Sequence, residues 1–269
     1  MQRKAEMTTQ TKPPVKKDLA PALTRGLGIL TFIARTGRSV TLTEIADELG
    51  IAKSSAHGLL ATLVNGGFLD RQADSTYRLG LRVVELANAR IESSELPAEF
   101  YAIWNRYPQF HQEAAILAVL DGPDVIYIAC RNSPLALGIT FRPGMKLPAC
   151  CTATGKALLS TLSNSEVRDF YKRHEFARLT QSSVPNVSKL IRQLEEIRER
   201  GFSIDDGETR DHMWSVGAPI CGWEGQRSAA AVAISCLRSE VTPDKIVRTS
   251  DFTKDFARAL SEAGSALQS

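Results

Sequence analysis

Several residues in this chain have types and spacings that are typical of catalytic sites. Cys150 and Cys151, together with His111, could form a thiolate–imidazole pair of the kind found in enzymes with a cysteine nucleophile. Asp205 and Asp206 are adjacent carboxylates, which could take part in acid–base chemistry. Each pattern has a simpler alternative, because cysteine often serves as a small core residue and adjacent acids often lie exposed in a turn.

The sequence predicts no metal site and no cofactor. Its 4 histidines show no HxxxH or HxH spacing, and its 5 cysteines include no CxxC pair. Thr154-Gly155-Lys156 is similar to the end of a phosphate-binding loop, but Cys150 stands where that motif requires a glycine. We therefore expect Gly155 and Lys156 to lie in a helix, and we predict no catalytic residue.

A polar segment near the N-terminus is a stronger indication of function. Lys53-Ser54-Ser55 and His57 form the polar face of a predicted helix over 52–65. Small side chains allow close approach to a DNA duplex, and hydroxyl, amide and cationic groups can reach phosphates. The alternative is that Ser54 caps the helix and that this face only meets water.

A helix-turn-helix is predicted around this segment. Apolar residues at helical spacing indicate a helix over 22–36. Thr41-Leu42-Thr43-Glu44 matches a capping box, which starts a second helix over 42–49. A tight turn joins that helix to the one over 52–65, and two short helices joined by a turn with glycine are typical of a helix-turn-helix.

Two short alternating strands follow directly after these helices. They cover 68–72 and 76–79 and are separated by a turn, so the N-terminal module is predicted to be a winged helix. Arg71 and Arg78 lie on the wing, where cations typically contact the DNA backbone or the minor groove.

Length and composition fit an ordinary globular protein. The 269 residues suggest one or two domains, with 43% hydrophobic and 23% charged residues. No apolar run is long enough to span a membrane, and the polar N-terminus lacks the apolar core of a secretory signal, so we expect a cytoplasmic protein. Residues 1–92 carry a net charge of +4 and the remainder −1, which places the basic excess on the N-terminal module. Residues 1–20 are expected to be a disordered tail.

The remaining sequence predicts a second domain of strands and helices. In chain order we predict a linker helix over about 80–92, strands at 115–120, 125–129 and 135–142, helices at 152–161, 164–173 and 187–200, strands at 202–205, 215–221 and 228–237, and a last helix from 243 to about 267.

The order of these motifs resembles the IclR family of bacterial transcription regulators. The resemblance runs from about 22 to 265, and its most specific motifs are Leu42-Thr43-Glu44-Ile45-Ala46, Gly67-Phe68-Leu69, Lys146-Leu147-Pro148 and Gly155-Lys156-Ala157-Leu158-Leu159. It implies an α+β fold with a winged helix-turn-helix at 21–80, a linker helix at 81–92 and a GAF-like antiparallel sheet with helices at 93–269. It also implies a homodimer or homotetramer and no catalysis.

The resemblance assigns roles to residues by position. Those expected to contact DNA are Arg25, Thr43, Lys53, Ser54, Ser55, His57, Arg71 and Arg78. Those expected to line an effector pocket are Ala136, Ile139, Leu147, Ala153, Thr154, Asp205, Ser215, Val216, Cys221, Ala233 and Ser235, with Trp214 as a further candidate. Free N–H groups at the helix start near Thr152 would suit a carboxylate.

Three departures from the family pattern accompany this assignment. Gly58 stands where the family usually has arginine, and Cys150 stands where it commonly has histidine. The segment 211–214 lacks the glycine that is usual there. The last two lie near the expected pocket, so they bear on the ligand rather than on the fold.

The sequence therefore predicts a transcription regulator. Its affinity for a pseudo-palindromic double-stranded operator would be switched by a small organic acid, an aromatic one included, or a related effector. The alternative is a protein-interaction module or a cysteine-dependent enzyme that carries a winged helix. Retention on heparin up to raised salt would distinguish the regulator from such a module.

Overall fold

A computed structural model of the chain describes residues 18–92, 94–135, 138–221 and 230–266. The chain divides into two compact units, Met1–Arg90 and Ile91–Ser269. Among the described residues, no helix combines the length and the apolar character that a membrane span requires.

The first unit is a winged helix-turn-helix. Its elements are α1 (Pro21–Thr36), β1 (Val40–Thr41), α2 (Leu42–Leu49), α3 (Lys53–Asn65), β2 (Leu69–Arg71) and β3 (Thr76–Leu79), and α4 (Leu81–Glu92) follows them. The strands form an antiparallel sheet in the order β1-β3-β2.

The ends of these helices follow from local sequence. The predicted capping box is present, because the Thr41 hydroxyl accepts from the Glu44 N–H and the Glu44 carboxylate accepts from the Thr41 N–H. Gly37 and Gly50 end α1 and α2 in the left-handed conformation, with φ of 64° and 60°. The buried faces of the three helices meet the sheet in one core: Ile29, Ile33, Val40, Ile45, Leu60, Leu69 and Tyr77.

The second unit is built on an antiparallel sheet. Its elements are α5 (Leu96–Trp104), β4 (Ala114–Asp121), β5 (Asp124–Arg131), β6 (Lys146–Pro148), α6 (Ala153–Ser160), α7 (Asn164–Tyr171), α8 (Val187–Arg200), β7 (Ser203–Asp206), β8 (Met213–Ile220), β9 (Ala230–Leu237) and α9 (Pro243–Ala266). Within the described ranges, the strand order is β6-β5-β4-β9-β8-β7. The predicted α+β fold class is confirmed.

Helices cover both faces of this sheet. One face carries a core that includes Ile116, Tyr127 and Ala233 and packs against residues of α6, α7 and α8. We call it the α6 face. The other face carries Leu117 and Val232 and packs against α5 and α9, and we call it the α9 face.

The structure differs from the sequence prediction in four places. The predicted strand at 135–142 is wrong for 138–142, which forms no strand. The side-chain amide of Asn132 instead makes hydrogen bonds with the backbone of this segment. Its Oδ1 accepts from the Phe141 N–H at 2.7 Å, and its Nδ2 donates to the Phe141 carbonyl at 3.1 Å. The short strands β1 and β6 and the helix α5 were not predicted.

The start of α6 lies unusually close to its neighbours. A Cβ atom on Gly155 would stand 2.3 Å from the Ala149 backbone, and one on Gly217 would stand 2.7 Å from the Ala153 backbone. Only glycine permits these approaches. The approach at Gly217 places the first turn of α6 directly against β8. Gly155 lies in this helix, as predicted.

Candidate functional site

The first turn of α3 presents free polar groups to solvent. Lys53, Ser54, Ser55 and His57 are all exposed. The N-cap residue is Ala52, which offers no side-chain hydrogen bond, so Ser54 is not the cap. The N–H groups of this turn therefore stay available, and they add to the charge of Lys53 at the positive end of the helix dipole.

The other residues predicted to contact DNA are also exposed on the first unit. Arg25 has no ion pair among the described residues, and Thr43 is exposed in the first turn of α2. On the wing, Arg71 donates to Ser75 Oγ at 3.3 Å, and Arg78 pairs with Asp70 at 3.3 Å. These contacts are solvent-exposed, so little energy is needed to exchange them for phosphate contacts.

Four of the predicted effector residues lie on the α6 face of three adjacent strands. Asp205 pairs in register with Ser215, and Ser215 pairs with Ser235. Ala233 is two residues before Ser235 and shares its face. All four are buried, and the Ser215 and Ser235 hydroxyls are hydrogen-bonded at 2.7 Å.

The start of α6 brings further predicted residues to the same side. Ala153 and Thr154 form its first turn, and Ile139 and Leu147 pack into the same core. Among the described atoms, Thr154 Oγ1 and Asp205 Oδ2 are buried without a hydrogen-bond partner. Buried polar atoms usually have partners, so these two mark a place where a ligand can supply them.

Other predicted pocket residues lie elsewhere. Val216 and Trp214 pack with Cys236 on the opposite side of the sheet, beside Ile246 of α9. Cys221 is exposed beyond the end of β8, and its N–H donates to Ser261 of α9. These residues therefore do not share the α6 face with Ser215 and Ser235, and Ala136 lies outside the described residues.

Sequence reasoning missed two polar residues at this site. The Tyr127 hydroxyl is buried, and its pKa is raised by burial and by the Asp205 charge, while the Arg210 charge and Thr154 oppose the rise. Arg210 is half-buried, with its guanidinium carbon 5.9 Å from the centre of the Phe141 ring. The alternation of side chains along β5 could have placed Tyr127 on the α6 face, but nothing in the sequence indicates that Arg210 lies at the site. We call Tyr127, Thr154, Asp205, Ser215 and Ser235 the buried polar cluster.

A buried ion pair is connected to the cluster through Asp205. The Lys156 ammonium donates to the Glu208 carboxylate, and the exposed side-chain fractions are 1% and 7%. Burial raises the pKa of Glu208, while Lys156 opposes that rise. Asp205 joins the arrangement, because its Oδ1 accepts from the N–H groups of Glu208 and Thr209 at 2.7 and 3.2 Å. Burial likewise raises the pKa of Asp205.

The residues of the two catalytic arrangements considered from sequence do not lie together. His111 stacks on Trp104 and contacts its carbonyl, on the α9 side, while Cys150 lies in the core of the α6 face. Asp206 points outward to an ion pair with Arg238 at 2.7 Å, away from buried Asp205. Neither the thiolate–imidazole pair nor the paired carboxylates exist.

Within the part of the chain that the structure describes, one group of residues has the composition of a metal site. The ligand atoms of Glu113, Cys236 and Glu240 lie within 4.8 Å of one another. The Lys245 ammonium contacts Glu113 at 2.8 Å and Glu240 at 3.1 Å. A fixed cation of the protein thus already pairs with both carboxylates, and the group does not require a metal ion.

Comparisons with known proteins give one consistent result. Residues 22–73 match the profile of the IclR helix-turn-helix domain, and residues 92–262 match that of the bacterial transcriptional regulator IclR C-terminal domain. The acetate operon repressor of Salmonella typhimurium is 30% identical over 228 residues, which cover 84% of this chain and 83% of that protein.

Two solved structures extend the comparison. The repressor BlcR of Agobacterium tumefaciens is 37% identical, with a TM-score of 0.58, over 91% of this chain and 96% of that one. A homologue from Microbacterium hydrocarbonoxydans, solved with 4-hydroxybenzoate, is 21% identical with a TM-score of 0.78, over 91% of this chain and 99% of that one. The second likeness concerns the fold alone.

Proposed function

The chain belongs to the IclR family of bacterial transcriptional regulators, and we propose that a small organic acid bound at the buried polar cluster switches its affinity for operator DNA. The named relatives are regulators and repressors, not enzymes. A protein that acts on the chromosome in this way works in the cytoplasm.

The exposed first turn of α3 carries the proposal for DNA binding. Lys53, Ser54 and Ser55 combine a cation, two hydroxyls and uncapped N–H groups, which is the chemistry that phosphates and base edges accept. Arg71 and Arg78 on the wing add charge that can follow the neighbouring backbone.

The donors near the cluster favour an acidic effector, and the free Asp205 Oδ2 favours one that also carries a hydroxyl group, as 4-hydroxybenzoate does. Arg210 has no ion pair among the described residues, and its charge lowers the pKa of the Tyr127 hydroxyl against the larger rise that burial causes, as the Thr154 side chain also does. A guanidinium and two hydroxyls are donors suited to a carboxylate. Ile139 and Phe141 supply an apolar wall for the rest of the ligand, and the homologue bound to 4-hydroxybenzoate supports an aromatic acid as one candidate.

A homo-oligomer is supported by apolar side chains that one chain leaves exposed. On α4, Leu81 and Val84 are 76% and 52% exposed. On α1, Leu23 and Leu27 are 63% and 55% exposed. A second copy would cover such surfaces, and two winged helices related by a two-fold axis would read a pseudo-palindrome.

The DNA part is tested by salt titration on an operator fragment that the full-length protein selects from a random library. If Lys53 contacts a phosphate, Lys53→Ala should weaken binding and lower the slope of log K against log salt by about 0.9. The matched control is Lys172→Ala, which removes an exposed lysine of the second unit. An unchanged slope in the Lys53 variant would remove this residue from the interface.

The effector part is tested with a panel of aliphatic and aromatic monocarboxylates, 4-hydroxybenzoate among them, and their amides. Acids that bind should change operator affinity, and their amides should not. Arg210→Gln should weaken binding of the acids by about tenfold or more, the loss of one charge-assisted hydrogen bond. Arg173→Gln is the exposed control, and Ala153→Phe should abolish the response by filling the site. Full response in both site variants would place the effector elsewhere.

A further inference from the structure

Two adjacent thiols lie in contact in the core of the second unit. The Sγ atoms of Cys150 and Cys151 are 3.8 Å apart, and both residues are 1% exposed. Both thiols point at the same acceptor, the Ala177 carbonyl, at 3.4 and 3.6 Å. The effector proposal uses neither of them.

From this contact we propose that Cys150 and Cys151 form a redox modification site, in which hydrogen peroxide converts the two thiols into a reversible vicinal disulfide. The formation of this bond does not depend on the proposed effector function. The other cysteines are separate from the pair: Cys130, Cys221 and Cys236 lie elsewhere in the sheet or beyond its strands.

The surroundings of the pair favour a reactive Cys150. A hydrogen bond from Cys151 is the main cause that lowers the pKa of Cys150, and the same contact raises the pKa of Cys151. The buried Tyr171 hydroxyl has no other partner among the described atoms and also lowers the pKa of Cys150. The contact between the two sulfurs thus allows Cys150 to act as the nucleophile and Cys151 as the resolving partner.

The reaction is balanced with one molecule of peroxide. The Cys150 thiolate attacks a peroxide oxygen, the O–O bond breaks, and a sulfenic acid forms while the other oxygen leaves as water after taking up a proton. The Cys151 sulfur then attacks the Cys150 sulfur and expels the sulfenic oxygen as a second water. The two thiols lose two electrons and two protons in total, and the peroxide is reduced to two waters.

Geometry makes such a bond easy to reverse. Adjacent α-carbons lie about 3.8 Å apart, which is shorter than the roughly 4.4–6.8 Å usual between disulfide-linked residues. The resulting ring is strained, and strained disulfides have the more oxidising potentials typical of labile, regulatory bonds. Because both thiols are buried, hydrogen peroxide, which is close to water in size, should reach the sulfurs far more readily than a tripeptide such as glutathione.

The pair is positioned to transmit a change to the effector site. The Cys151 carbonyl accepts from the Thr209 hydroxyl at 3.0 Å, and Thr209 in turn donates its N–H to Asp205. The next residue, Thr152, caps α6 by accepting from the Gly155 N–H at 3.0 Å. Drawing the sulfurs from 3.8 Å to a bond therefore disturbs both the cap of α6 and the loop that holds Asp205.

Peptide mapping of the full-length protein tests the proposal directly. Trypsin releases residues 147–156 as one peptide with both thiols, and it releases Cys130, Cys221 and Cys236 on three others. After peroxide treatment and alkylation under native conditions, the 147–156 peptide should be unlabelled and lighter by two hydrogens, and dithiothreitol should restore its labelling. Two alkylated thiols after peroxide, a glutathione adduct on either one, or a link from either to a third cysteine would overturn the proposal.

Hydrogen exchange tests the structural consequence. Oxidation of the parent protein should cause loss of amide protection in the first turn of α6 and in residues 207–210. Cys150→Ala and Cys150→Ser should both abolish this change, and the exposed control Cys221→Ala should retain it. Loss of protection in the Cys150 variants as large as in the parent would show that another oxidation causes it, and would refute the coupling.

Discussion

The buried ion pair between Lys156 and Glu208 should be essential to the stability of the second unit. Replacement of Lys156 with methionine keeps the side-chain volume but leaves Glu208 buried beside Asp205 without a cation. Removal of one partner from a buried pair costs about 3–5 kcal/mol. For a domain of this size each kcal/mol lowers Tm by about 2–4 °C, so Lys156→Met should lower Tm by roughly 6–20 °C.

The loss should also depend on pH. Burial already raises the pKa of Glu208, and Lys156 opposes that rise, so the variant raises it further. A carboxyl group with a raised pKa binds its proton more tightly in the folded state than in the unfolded state. Stability then falls as pH rises from the unfolded value, about 4.3 for glutamate, through the raised folded value. The deficit of Lys156→Met should therefore be larger at neutral pH than near pH 5.

Tryptophan fluorescence is a suitable assay, because Trp104, Trp214 and Trp223 all belong to the second unit. The matched control is Lys172→Met, since that ammonium is 73% exposed and pairs with Asp169 at the surface. It should change stability by less than about 0.5 kcal/mol. The double variant Lys156→Met/Glu208→Leu should regain much of the loss. A deficit under about 1 kcal/mol at every pH would refute the reasoning.

Three further predictions each concern the replacement of one residue. Thr152→Ala should cost about 1 kcal/mol in urea unfolding, because it removes the α6 cap, whereas Thr152→Ser should cost little; equal losses would reject the cap. Asp205→Asn should make stability fall less between pH 4 and 7, because burial raises the pKa of Asp205; an unchanged profile would contradict this. Val84→Glu should dissociate the proposed homo-oligomer in sedimentation, unlike the exposed control Glu85→Gln, and an unchanged mass would exclude α4 from the interface.

Elements with strong local signals could be predicted from the sequence. The helix α2 begins and ends where its capping box and Gly50 place it, because both signals act within one turn of the backbone. The helix α5 was missed, because its core-facing and partly buried residues are nearly all apolar and leave no clear polar stripe. The false strand at 138–142 shows the opposite error, since a distant side chain, Asn132, supplies the hydrogen bonds that a neighbouring strand would make.

The candidate site was predicted only in part for a related reason. Almost every residue of β8 is buried, because helices cover both faces of the sheet. The sequence of β8 therefore shows no alternation of polar and apolar residues that would tell whether its odd-numbered or its even-numbered side chains face α6. Ser215 and Val216 are equally plausible from sequence, yet the pairing with β9 puts Ser215 beside Ser235 and turns Val216 to α9.

The same geometry explains why ligand binding and stability should be coupled in the second unit. Thr154 belongs to the buried polar cluster, and Lys156, two residues later in α6, holds Glu208. Asp205 connects the two, since its Oδ2 has no hydrogen-bond partner among the described atoms and its Oδ1 accepts from the Glu208 N–H. A ligand that draws Asp205 or Thr154 toward itself must therefore act on the ion pair as well. Because a close-packed core resists small continuous shifts, this linkage favours two discrete arrangements of α6 over a gradual response.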